Sequence, residues 1–156
     1  MSIKTIKNTS NLDGIAVFGT FDDFQTLSSN ILADIRNEIT GEYKSIQPIF
    51  GKITQLSIDD SKERVETFRT DLTLDERPYS FIYLQHAVMM QELEGSIRLL
   101  SEKRKLKLIP LVYVENPSNL YPTLADAIFG NIGNFVIGNL TDTDLAYLKT
   151  RINIPE

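Results

Sequence analysis

Short, unbroken apolar runs alternate along the chain with stretches whose apolar residues recur every three or four positions. Ile15-Ala16-Val17-Phe18, bracketed by Gly14 and Gly19, is the pattern of a strand buried on both faces. Phe24, Leu27, Ile31, Ile35 and Ile39 follow at helical spacing and predict an amphipathic helix ending near Gly41. From Tyr43 to Asp75 the pattern weakens. Ile46 to Ile58, interrupted by Pro48 and Gly51, predicts two short strands or an edge hairpin, and Lys62 to Arg69 a short helix. Phe81-Ile82-Tyr83-Leu84 is a second buried strand, followed by a helix face of Met89, Leu93, Ile97 and Leu100. Leu106 to Val114 reads as a central strand in which Pro110 predicts an irregularity or bulge. Leu120, Leu124 and Ile128 predict a helix, and Phe135-Val136-Ile137 a strand. Thr141 with Asp144 three residues on forms a capping-box pattern for a last helix carrying Leu145 and Leu148. The first twelve residues are polar and predict a loose lead-in. Strands alternating with helices give an α/β fold with a mostly parallel sheet. With no linker, low-complexity tract or repeat, residues 1–156 read as one domain.

Composition then narrows the chemistry. The absence of cysteine excludes disulfides, zinc–thiolate sites, iron–sulfur clusters and a thiol nucleophile. One histidine excludes a metal site needing two imidazoles. A Ser–His–Asp hydrolase would need a Gly-x-Ser-x-Gly elbow, and none occurs. A net charge of −5 disfavours a broad nucleic-acid-binding surface. No run approaches the roughly 18 apolar residues of a membrane span, and the first eight residues lack a signal-peptide pattern. The expectation is a cytoplasmic protein.

Gly19-Thr20-Phe21-Asp22-Asp23-Phe24-Gln25-Thr26 follows the first strand and opens the first helix, where a phosphate-binding P-loop would sit. Further on come Leu99-Leu100-Ser101-Glu102-Lys103-Arg104-Lys105, then Tyr113-Val114-Glu115-Asn116-Pro117, then Asn131-Ile132-Gly133-Asn134-Phe135-Val136-Ile137. In motif order and spacing, from about Gly14 to Leu148, the chain resembles the HerA/FtsK-type DNA-pumping ATPases, which include the coupling ATPases of conjugation. The resemblance implies a three-layer RecA-like fold of P-loop NTPase type.

It also shows what has changed. At the P-loop position Thr26 keeps the hydroxyl, but Gln25 stands for the lysine and Phe24 for the second glycine. Asp22 and Asp23 put carboxylates where a triphosphate would arrive; they suit a helix N-terminus and compete with phosphate for it. The Walker B position reads Gln85-His86 rather than Asp-Glu, and the sensor glutamine is replaced by Glu115. Three parts of an ATP site are weakened.

Each feature has a plainer structural reading. The altered loop suits any strand–turn–helix connection. His86 reads as a hydrogen-bonded residue at a strand end. The basic cluster Arg98, Lys103, Arg104, Lys105 and Lys107 suits a helix C-terminus. The pairs Asp22-Asp23, Asp59-Asp60 and Asp142-Asp144 suit turns and caps, without metal-ligand spacing. The expectation is a pseudo-ATPase without cofactor or metal, working through a protein partner of related fold or a second copy. Two alternatives stand beside it: a nucleotide-binding domain, inactive or weakly active, using Thr26, Gln85, His86 and Glu115, and a DNA-binding module using the basic cluster.

Overall fold

A computed structural model describes residues 3–39, 47–48, 80–105 and 108–155. The strands are β1 (Lys4–Lys7), β2 (Ile15–Phe18), β3 (Gln47–Pro48), β4 (Ser80–Gln85), β5 (Leu108–Val114) and β6 (Asn134–Ile137). The helices are α1 (Phe24–Ile39), α2 (His86–Gln91), α3 (Leu93–Glu102), α4 (Pro122–Asn131) and α5 (Asp142–Lys149). The strands form one sheet in the order β1-β6-β2-β5-β4-β3, parallel throughout except for the β1–β6 pair. The class is therefore α/β, with a mostly parallel sheet and flanking helices.

Alternation along the strands divides the core in two. Ala16, Phe18, Ile82, Leu84, Val112, Val114, Phe135 and Ile137 pack against Met89, Leu99, Leu100, Leu124, Ile128 and Leu148, from the four helices α2 to α5. Ile15, Val17, Tyr83, Leu111 and Val136 face the other way, with Ile31 of α1 and the partly buried Phe24 and Leu27. Helices thus cover both faces, which is why the inner strands are apolar at every position rather than at alternate ones.

Three sequence expectations are corrected. The lead-in contains a strand: β1 pairs with β6 from Lys4↔Ile137 to Lys7↔Asn134. Only Ile6 of β1 is buried, so an edge strand with one apolar contact has a polar sequence. Its connection to β2 is held by Asn134, whose Oδ1 accepts the N–H groups of Asn8 and Thr9 at 3.1 and 3.0 Å and whose Nδ2 donates to the Ser10 and Gly14 carbonyls. Next, β5 carries no bulge at Pro110; its ladder with β4 stays in register through Ile82↔Pro110. Pairing with β2 begins one residue later, at Ile15↔Leu111. A Cβ on Gly14 would lie 2.7 Å from the Pro110 ring, so the proline ring occupies the space beside a glycine before that ladder starts. Finally, the helix face from Met89 to Leu100 is split at Glu92 (φ −132°, ψ 69°) into α2 and α3. The Glu92 carbonyl restarts the helix by accepting both the N–H and the Oγ–H of Ser96.

Of the weak segment, β3 is described, and it pairs with β4 in parallel; the rest of the expected strands or hairpin over Ile46 to Ile58 lies outside the described residues. The expected helix over Lys62 to Arg69, the pair Asp59-Asp60 and Lys107 lie outside the described residues.

Candidate functional site

Parallel strands bring the ends of β2, β4 and β5 to one edge of the sheet. Phe18 is in register with Val114, and Gln85 with Tyr113, so the Gly19 loop, the Gln85-His86 junction and the Glu115 turn emerge side by side. This is the carboxyl edge, where open α/β sheets bind ligands. The structure brings these three candidate positions together there.

The Gly19–Thr26 loop is closed on itself. The Gly19 N–H donates to the Val114 carbonyl at 3.1 Å, and Thr20 exchanges backbone bonds with Asn139 at 2.9 and 3.0 Å. Gly19 adopts φ +101°, and a Cβ there would fall 2.5 Å from the Asn139 carbonyl oxygen; glycine is required at this position. Asp23 caps α1, accepting the Thr26 N–H at 3.0 Å and the Thr26 hydroxyl at 2.6 Å. The Thr26 hydroxyl, then its N–H, hold the Asp23 carboxyl below its ordinary range. Asp22 and Gln25 are exposed. The groups that would grip a phosphate, the first amides of α1 and a threonine hydroxyl, are already engaged by a carboxylate of the chain itself.

Aromatic rings fill the space behind. Phe24 stacks on Tyr113 with centroids 4.3 Å apart and planes at 19°. Phe21 lies 6.2 Å from Phe24 and 6.3 Å from Tyr113, and Tyr83 is 5.9 Å from Phe24. The Tyr113 hydroxyl donates to the Gly19 carbonyl at 2.9 Å, tying the rings to the loop. Burial, and after it the charge of Glu115, push the Tyr113 phenol up.

A cavity of about 300 Å³ remains beside this cluster, lined by Gln85, His86, Tyr113, Glu115, Asn116 and Asn119. Gln85 Nε2 donates to the Tyr83 hydroxyl at 3.2 Å. His86 was expected to be hydrogen-bonded; its Nε2 is buried without a partner among the described residues, and burial lowers its pKa. The turn that carries Glu115 is pinned from behind by Asp144, 1% exposed. Asp144 accepts from Asn116 Nδ2 at 3.1 Å, from the Ser118 N–H at 2.9 Å, and from the hydroxyls of Ser118 and Thr141. Burial pushes its pKa up, but these donors outweigh it, Ser118 foremost, and the carboxyl sits below its ordinary range. The expected cap is present, since Thr141 accepts the Asp144 N–H at 3.1 Å. The use of the Asp144 carboxylate to hold another loop was not legible in the sequence, nor was the role of Tyr113.

Lys103 and Arg104 of the basic cluster lie at the opposite edge. Asp13 precedes β2, while Lys103 and Arg104 precede β5. Lys103 is 3% exposed and 3.6 Å from the Asp13 carboxylate, to which Arg104 donates at 2.8 and 3.1 Å. Burial lowers the Lys103 pKa, and Asp13 only partly restores it. Arg98 is half-buried and Lys105 exposed. Two of the five cations therefore hold the entrance to β2 and β5 together.

No group of three or more His, Asp or Glu side chains among the described residues has metal-binding geometry, and no helix among them is long and apolar enough to cross a membrane. Compared with protein-family models, characterised proteins and solved structures, the chain finds no match.

Proposed function

We propose that the chain is a degenerate P-loop domain of RecA-like, three-layer topology that neither binds nor hydrolyses ATP and acts through a protein partner in a DNA-translocation or conjugation-type system. One observation carries the reading: the Asp23 carboxylate takes both the N–H and the hydroxyl of Thr26, where a nucleotide phosphate would have to bind. A phosphate would face repulsion from that carboxylate and would have to break both bonds. Strand placement supports the topology. The strand leading to Glu115 runs between the strand leading to Gly19 and the strand ending in Gln85, so all three positions would border one nucleotide. The P-loop resemblance supplies the partner class, an active ATPase of related fold or a second copy.

Titration calorimetry with ATP and magnesium tests the nucleotide half. No heat beyond dilution is expected; micromolar binding would favour the alternative of a nucleotide-binding domain. Size-exclusion chromatography and pull-down with a HerA/FtsK-type ATPase test the interaction half, and an inert monomer in both would refute it. For a DNA-binding module, a gel shift at low salt is the corresponding check.

A further inference from the structure

The cavity at the carboxyl edge holds one carboxylate and, among the described residues, no cationic side chain. The Glu115 carboxylate makes no hydrogen bond or ion pair among the described residues. Asn116 must direct its Nδ2 at Asp144, because a carboxylate can only accept, so Oδ1 is the free end of that amide. Gln85 Nε2 donates to the Tyr83 hydroxyl. No Lys or Arg among the described residues lines the cavity. The one titratable base in the wall, His86, is desolvated, so its neutral imidazole does not repel a cation.

A guest for such a wall must bring positive charge and several N–H groups. Guanidinium does both, with five donors in a plane. It also stacks on aromatic faces, whereas ammonium is a strongly hydrated point charge. Tyr113 is among the lining residues, with its ring stacked on Phe24. We propose that this cavity is a docking pocket for the guanidinium of an arginine side chain presented by a protein partner. A volume of about 300 Å³ lies at the lower limit for small-molecule pockets and suits one side chain. Tyr121, two residues beyond Asn119 and 55% exposed, is an exposed aromatic of the kind that anchors protein interfaces. The inference rests on the interaction reading above and names the chemistry of the contact.

The test uses the full chain and capped probes. N-acetyl-arginine-methylamide is titrated into 15N-labelled protein and followed by NMR, with the citrulline analogue as the neutral isostere. Saturable shifts confined to residues 85–86 and 113–119 and their side-chain amides are expected, with a millimolar dissociation constant. The citrulline analogue should give none. Glu115→Gln, a change at an exposed position, should keep the spectrum of a folded chain and weaken the probe about threefold or more. Doubling the salt should weaken it further. Shifts elsewhere, equal binding of the citrulline analogue, or an unchanged constant in Glu115→Gln would overturn the proposal. Free L-arginine binding more than tenfold tighter than the capped probe would overturn the protein source in favour of a small guanidino metabolite. Failure here leaves the calorimetry with ATP unaffected, and ATP binding would not by itself produce guanidinium shifts, so the two readings fail separately.

Discussion

Replacing Asp144 with alanine should loosen the turn that carries Glu115 and cost the whole domain stability. Four donors lose their acceptor: Asn116 Nδ2, the Ser118 N–H and the two hydroxyls of Ser118 and Thr141. They do not count equally. Asn116 and Thr141 are exposed and can turn to water, whereas Ser118 is half-buried and its N–H cannot rotate away. A buried donor left unsatisfied costs about 1–3 kcal/mol, and a hydrogen bond to a charged group contributes about 1.5–3. Against this stands relief from burying a charge. The balance is about 2–4 kcal/mol, which for a chain of 156 residues lowers Tm by about 6–12 °C. Urea unfolding and calorimetry of the wild type, Asp144→Ala, Ser118→Ala and the double variant would measure it. The pair should show a coupling of at least about 0.5 kcal/mol. The pH dependence has a definite sign. Because the folded carboxyl titrates below its ordinary value, its contribution is complete above about pH 4 and disappears as pH falls through the folded value. The gap between wild type and Asp144→Ala should therefore close in acid. A loss under about 0.5 kcal/mol at pH 7, or a gap that widens in acid, would refute the reasoning.

Three further outcomes follow from the geometry. Asp13→Ala should destabilise by about 2–4 kcal/mol because it leaves Lys103 buried without its carboxylate, and Asp13→Ala with Lys103→Met should recover most of that loss; chemical denaturation of the set checks both. Gly19→Ala should cost at least about 2 kcal/mol, since φ +101° and the nearby Asn139 carbonyl both oppose a side chain, and thermal melts would show it. The pKa of folded His86 lies below its unfolded value. As pH falls through about 6.5 the unfolded chain therefore binds the proton first, and stability drops. His86→Gln should flatten that part of the stability–pH curve, measured by guanidinium unfolding between pH 7.5 and 5.

The sequence made β2, β4, β5, β6, α1 and α5 legible because each signals within its own span. Ile15 to Phe18 is apolar throughout, α1 repeats every three or four residues, and Thr141 caps through Asp144. What stayed hidden depends on partners far away in the chain. β1 offers one buried side chain and is a strand only because β6 lies beside it. The Asp13–Lys103–Arg104 group spans some ninety positions, so its members read as separate surface charges. At the site, the neighbourhood of Gly19, Gln85 and Glu115 follows from parallel pairing of the strands that lead to them. The stacking of Phe24 on Tyr113 and the pinning of the turn by Asp144 could not be anticipated, since neither shows in local spacing.

The strand order also bears on when the chain can fold. β2, made early, has as its sheet neighbours β5 and β6, and β1 has β6 alone. Until residues 134–137 have been synthesised, β1 has no partner and one edge of β2 is bare. Contacts this distant in sequence slow folding, and the exposed apolar edge is prone to mispairing in the meantime. The domain should therefore assemble late on the ribosome, almost in one step, with β6 as the strand that closes the sheet.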